Sequence, residues 1–130
     1  MDKKRDLSIY RMQNAKDTLD TAKICREYKR YKDSINRCYY AAFYAIKAVL
    51  ALEGKDFKRH KDVVAYFNKE YVATEIFPRE LGRKLGRLKQ LREKSDYDDF
   101  YIASKNQAQE QYETAKFAIE LVVKYLENSK

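Results

Sequence analysis

Turn-forming residues are scarce in this chain: its 130 residues hold three glycines and one proline. A β-sandwich or barrel needs a turn signal every ~8–12 residues, so an all-β fold is excluded on that count. Long apolar runs are missing too. The longest uncharged stretch, Cys38 to Ile46, ends at Lys47, far short of the roughly 20 apolar residues of a spanning helix. No membrane association is expected. The opening Met1-Asp2-Lys3-Lys4-Arg5-Asp6 is charged and carries no apolar h-region or small-residue cleavage site, which reads as a cytoplasmic protein. One histidine, His60, leaves no pair for a His-based metal motif, and no classical hydrolase triad is expected. Gly54, Gly82 and Gly86 are too scattered to build a phosphate-cradling loop. No metal or cofactor is expected. The two cysteines, Cys25 and Cys38, flank a bend near Lys29-Arg30 at unequal distances. At ~1.5 Å rise per residue they are offset by roughly 6 Å along the helix axes, more than a disulfide tolerates. Both read as buried thiols of a reducing compartment.

Charge and apolar residues, by contrast, are both abundant, at 37% and 45%. That mixture suits helices with one buried stripe and one charged face, and the length suits one domain over residues 1–130. The net charge of +8 points either to an acidic partner, nucleic acid foremost, or to a solvated lysine-rich surface.

The apolar spacing resolves into helices. Met12, Ala15, Leu19, Ala22 and Cys25 recur at three- and four-residue steps over a first helix from Asp6 to Tyr28. A polar bend at Lys29 to Lys32 leads to a second helix, Asp33 to Glu53, stopped by Gly54. Its segment Cys38 to Ile46 is apolar or aromatic all round, so this helix is expected to be enclosed by the others. A shorter helix, His60 to Val72, directs Val63, Val64 and Phe67 inward. Pro78 takes the first position of a fourth helix reaching Lys94, with Leu81, Leu85, Leu88 and Leu91 toward the core. Asp96 to Phe100 is an acidic connector whose aromatics are expected to plug the bundle end. Ser104 to Gln107 reads as a capping box. The last helix then carries Ala108, Tyr112, Ala115, Ile119, Val122 and Leu126 at 4-3-4-3-4 spacing. The fold expected is all-α: an antiparallel up-and-down four-helix bundle with one additional short helix. No 34-residue period appears, which excludes a tetratricopeptide array.

Two clusters carry chemistry. Arg37, Ala41, Tyr44 and Ala48 fall on one helical face, so Arg37 and Tyr44 border a shallow trough with Tyr40 at its flank. The planar guanidinium can grip a phosphate; the alternative is that Arg37 is ion-paired to a neighbouring helix and Tyr44 only packs. The second cluster is basic. Seven cations oppose two carboxylates between Arg79 and Lys94, and Arg79, Arg83 and Arg87 form a row at i, i+4 and i+8. Lys55, Lys58, Arg59 and Lys61 add a second basic patch. Such rows either track a phosphate backbone or form a solvated face, since no aromatics interleave them.

The run Ser34-Ile-Asn-Arg-Cys-Tyr-Tyr-Ala-Ala-Phe-Tyr-Ala-Ile-Lys-Ala-Val-Leu50 resembles the signature helix of the HEPN domain family. The resemblance continues through Arg59-His60-Lys61 to Val72 and through Leu91-Arg-Glu-Lys-Ser-Asp-Tyr-Asp-Asp-Phe100, and covers residues 10 to 126. It implies a four- or five-helix bundle, a homodimer, and pairing with a minimal nucleotidyltransferase as toxin and antitoxin. It also implies a metal-independent ribonuclease site built from an Arg and a His four to six residues on. The Arg stabilises charge on phosphorus and the His takes a proton from the 2′-hydroxyl. Arg37 matches the Arg; Ala41 to Tyr44 stand at the His positions. Tyr44 falls where some relatives have His and others a tyrosine that a partner modifies with AMP. His60 is the remaining candidate for the cleft. The expected function is therefore nucleotide or RNA-phosphate binding at Arg37, Tyr44 and His60, with a non-catalytic module that regulates a nucleotidyltransferase partner as the alternative.

Overall fold

The structure, a computed structural model, describes residues 2–129. Among these, five α-helices follow one another without a strand: α1 (Lys3–Glu27), α2 (Tyr31–Glu53), α3 (His60–Phe67), α4 (Arg79–Tyr97) and α5 (Lys105–Glu127). A π-helical turn, Asn68–Val72, continues α3. The chain is thus the helical bundle its apolar periodicity predicts. The single short helix expected at His60 to Val72 is divided at Phe67. The bend expected over four residues shortens to Tyr28, Lys29 and Arg30, with Lys29 in the left-handed region at φ 62°.

Helix α2 is the axis of the molecule. Thirteen of its 23 residues are buried, and it packs against α1, α3, α4 and α5. The α1–α2 hairpin interlocks on small side chains: Ala15 and Ala22 of α1, and Ala41, Ala45 and Ala48 of α2, are fully buried. Small residues let the two backbones approach. The closeness appears in hydrogen bonds that cross the pair: Ser8 Oγ donates to the Ala48 carbonyl at 2.7 Å and Ser34 Oγ to that of Ala22 at 2.8 Å. Burial pushes the Cys38 thiol up to about 12, against the Ser34 hydrogen bond, the Arg26 charge beside it working the same way as Ser34. Cys38 and Cys25 are both free thiols.

Caps set the helix ends. Asp2 accepts from the Lys4 and Arg5 amides, Gly54 closes α2 at φ 75°, and Ser104 with Gln107 forms a reciprocal capping box before α5. Pro78 stands one residue earlier than expected, just outside α4 in an extended conformation. Gly82 has a packing reason: a Cβ there would meet Val72 Cγ1 of the π-helical turn at 3.0 Å. Gly86 has none, since its Cβ would meet nothing within 4 Å. Gly86→Ala is therefore expected to stabilise the fold by about 0.5–1 kcal/mol through helix propensity alone, read as a higher urea midpoint at unchanged slope.

One sequence expectation fails at the bundle end. Tyr97 and Phe100 do not plug it: they are 76% and 93% exposed. Tyr101 fills that position, half-buried against the core with its hydroxyl donating to Gln107 Oε1 at 2.6 Å. The connector turns Asp98 inward on its own backbone, accepting from the Phe100 amide, and this leaves the flanking aromatics outside.

Candidate phosphate-binding site

Arg37 lies on the α2 surface, half-buried. Its Nε and Nη2 both donate to Asn36 Oδ1, at 3.0 and 2.7 Å. Among the described residues it forms no ion pair with a carboxylate. Its guanidinium carbon is 5.1 Å from the Tyr40 ring centre, close enough for a cation–π contact. The alternative of an arginine quenched by a neighbouring helix is thereby set aside.

Tyr40 is the shelf of the site. Its ring also meets His60, edge to face at 5.7 Å between centroids, and Tyr44 at 6.1 Å. Arg92 of α4 reaches the same ring at 5.9 Å and that of Tyr39 at 4.5 Å. His60, the first residue of α3, packs on Phe43 at 4.3 Å. The spacing of α2 explains the convergence. Residues 36, 37, 40, 43, 44 and 47 occupy one broad face, which α3 meets through His60 and α4 through Arg92. The trough expected between Arg37 and Tyr44 has no open alanine floor, because Ala41 and Ala48 are fully buried. The surface between Arg37 and Tyr44 is the Tyr40 ring instead.

The electrostatics are one-sided. Burial, then the charges of Arg92 and Lys47, hold His60 below the usual histidine range, so it is neutral at pH 7. A histidine whose folded-state value is depressed binds its proton more readily in the unfolded chain. Stability from this residue is therefore fully present above the ordinary value near 6.5 and is lost as pH falls from there toward the depressed value. The pH dependence of the urea midpoint between pH 7 and 5 is expected to be shallower in His60→Ala. Lys47 is itself held by Asp56, 3.8 Å away, which also pairs with Arg11 at 3.4 Å.

The basic row of α4 is elsewhere. Arg79 pairs with Glu75, in the loop before α4, at 3.3 Å and Arg87 with Glu110 of α5 at 3.0 Å, while Arg92 and Asp96 face α2. Arg83 is exposed with no ion-pair partner among the described residues. Lys58 and Arg59 do adjoin the site, directly before His60; Lys58 is exposed and Arg59 pairs with Asp62 at 2.9 Å. Among the described residues no three His, Cys, Asp or Glu side chains gather as metal ligands. An enclosed cleft beside the shelf, lined by Tyr39, Phe43, Val64, Leu85 and Gly86, has about 40 Å³. That is room for a few waters at most and too small for a base.

Sequence reasoning missed Arg92, Asn36 and Asp96. A signal for Arg92 exists: Leu81, Leu85, Leu88 and residue 92 follow 4-3-4 spacing, which places a charge on the leucine stripe. It is 11% exposed in its side chain, with Nη1 3.5 Å from Asp96 Oδ2.

The model of the HEPN domain matches residues 9–127. The chain belongs to the HEPN family. It is 30% identical to a UPF0332 protein of Thermotoga maritima, over its whole length and 98% of that protein. Two proteins of Methanocaldococcus jannaschii, each named a putative toxin, are also similar. One is 35% identical over 64% of this chain and 62% of its own length, the other 26% identical over 75% and 67%. Among the described residues no helix of this HEPN protein is long and apolar enough to cross a membrane.

Proposed function

We propose that this HEPN protein is a toxin-like module that binds RNA through a backbone phosphate on the Arg37–Tyr40–His60 shelf. The observation that carries the reading is an arginine held in place by a neutral amide, with no carboxylate to quench it, on a face it shares with a neutral histidine. An exposed shelf of this kind suits a flexible single strand: phosphate meets guanidinium, and a base stacks on tyrosine. The relatives named putative toxins support the same reading.

His60 supplies what the helix lacks where the family places its histidine. As a neutral imidazole it accepts the 2′-hydroxyl proton; the 2′-oxygen attacks phosphorus, the bond to the 5′-oxygen breaks, and water protonates the leaving oxygen. Arg37 stabilises the charge that builds on the phosphoryl oxygens. The experiment is incubation with single-stranded RNA in excess chelator. Cleavage to 2′,3′-cyclic phosphate ends, abolished in both Arg37→Ala and His60→Ala, identifies a ribonuclease. Binding without cleavage identifies a phosphate-binding module, and RNA that is neither bound nor cleaved overturns the proposal.

A second reading is favoured by the connector. Tyr97, Phe100 and Ile102 are exposed side by side with Asp98 and Asp99, the composition of a protein-docking surface. In that reading the chain works by binding a second copy or a nucleotidyltransferase. Co-purification with such a partner that is lost in Phe100→Asp supports it.

A further inference from the structure

Arg37 does not hold its position alone. Asn36 Oδ1 accepts two hydrogen bonds from it, and Asn36 Nδ2 donates to both oxygens of Asp96, at 3.4 and 3.2 Å. Asp96 reaches across from the end of α4, where it also takes the Arg92 guanidinium at 3.5 Å. The direction of the Asn36 amide is dictated by its two neighbours. Turned the other way, its oxygen would face a carboxylate and its NH₂ a guanidinium, two repulsive contacts in place of two attractive ones.

We infer that Asn36 is a positioning residue that joins Arg37 to Asp96 through a neutral amide, so the guanidinium is oriented by the carboxylate without being neutralised by it. A direct Arg37–Asp96 pair would hold the side chain as well, yet it would place a competing anion on the fork that a phosphate has to use. The amide avoids this. Of the five N–H donors of a guanidinium, the Nε and one Nη2 hydrogen go to Asn36. The Nη1–Nη2 edge remains, and that edge grips a phosphate in a bidentate fashion. Asn36 thus separates two demands that a salt bridge merges: fixed geometry and free charge.

The inference rests on Arg37 being the phosphate grip, and the test keeps the two apart. In the double swap Asn36→Asp with Asp96→Asn, net charge is unchanged and each link keeps a hydrogen bond. The two contacts between residues 36 and 96 reduce to one, from an amide nitrogen in the Oδ1 position, since the Oδ2 position carries the oxygen that faces Arg92. The new carboxylate accepts from Arg37, the new amide donates to it, and the amide oxygen still faces Arg92. Only the position of the negative charge moves, from behind the amide to direct contact with Arg37. The measurement is binding of a fluorescent oligouridine RNA across a salt series, with a thermal melt on each variant.

The swap is expected to melt like the parent yet bind about tenfold more weakly, with its salt slope lowered by about one phosphate contact, as in Arg37→Ala. Full affinity in the swap, with Arg37→Ala weakened, overturns the inference and leaves the phosphate grip standing. Full affinity in Arg37→Ala overturns the phosphate grip itself. If the swap does not fold, the single substitutions decide. Asn36→Asp keeps an acceptor and quenches the charge, whereas Asn36→Ala removes the holder and leaves the charge. The inference requires Asn36→Asp to bind more weakly than Asn36→Ala, and the reverse order, expected of a purely structural asparagine, contradicts it.

Discussion

Arg37→Ala is expected to weaken binding of single-stranded RNA by about tenfold to a hundredfold, the equivalent of 1.5–3 kcal/mol for hydrogen bonds to a charged group. The size of the effect follows from the site's composition. Among the described residues, Arg37 is the cation against the Tyr40 ring that forms no ion pair; Arg92, on the same ring, pairs with Asp96, and Lys47 and Arg59 nearby pair with Asp56 and Asp62. A paired guanidinium already spends part of its fork on a carboxylate, which competes with an incoming phosphate for the same donors, so less binding is lost with it. Removing Arg37 takes away a whole charge and a planar fork. Arg37→Lys is expected to recover only part of the loss, because an ammonium keeps the charge and not the bidentate geometry. The fold is expected to tolerate both, since Arg37 is only half-buried and its hydrogen bonds run to its own neighbour in sequence. A fluorescence titration at fixed salt, with circular dichroism as the control for folding, measures this. Arg83→Ala, at an exposed position of α4 outside the shelf, provides the contrast: there affinity and salt slope are expected to change little.

Phe67→Ala is expected to cost about 3–5 kcal/mol, a large share of the 5–15 kcal/mol that typically separates a folded domain from its unfolded chain. Phe67 is fully buried. Its ring stacks on Tyr71 at 5.5 Å and meets Phe77 at 5.2 Å, and Phe77 in turn packs on Tyr125 of α5. These rings tie the α3 segment to the bundle at the point where α3 gives way to the π-helical turn. The tie is reinforced from α2. Glu53 accepts from the hydroxyls of Tyr66 and Tyr71, which hold its carboxyl below the ordinary range and push Tyr66 up to about 12. Without the Phe67 ring, α3 is anchored chiefly by Val63 and this carboxylate. Because α3 presents His60 to the shelf, local opening there is expected before global unfolding, seen as faster amide exchange over residues 60–72. Phe100→Ala, at a ring open to solvent, is expected to change stability by less than about 0.5 kcal/mol. Chemical denaturation of both variants checks the pair of expectations.

Most of the scaffold was legible because helices announce themselves through spacing. The α5 stripe from Ala108 to Leu126, the Ser104–Gln107 box and the Gly54 stop are local features, fixed by residues within a few positions of one another. The π-helical turn was not legible. Nothing in Asn68-Lys-Glu-Tyr-Val72 disfavours an α-helix, and the partners of the turn, Gly82 against Val72 and Glu53 on Tyr71, are both far away in sequence. The connector failed for a similar reason. Tyr97, Phe100 and Tyr101 are equally apolar as letters, and only the turn at Asp98 decides which one faces the core.

The site divides along the same line. Arg37 could be singled out as a charge on an apolar helix, but its state depended on contacts that no spacing rule contains. Asn36 looked like an ordinary polar residue until Asp96, 60 positions later, was found on its amide. Arg92 was counted with the basic row of α4, although the leucine spacing already placed it on the inward side. His60 lies in a different helix from Arg37, and what unites them is the Tyr40 ring.

The most direct measurement is the nitrogen-15 spectrum of the arginine side chains, with Arg37 assigned by its absence in Arg37→Lys, during titration with a uridine dinucleotide. The Arg37 Nη resonances are expected to shift and saturate with the bound fraction, while those of Arg83 and Arg87 move little. Saturable shifts confined to the α4 row, with Arg37 unmoved, would contradict a phosphate grip at Arg37.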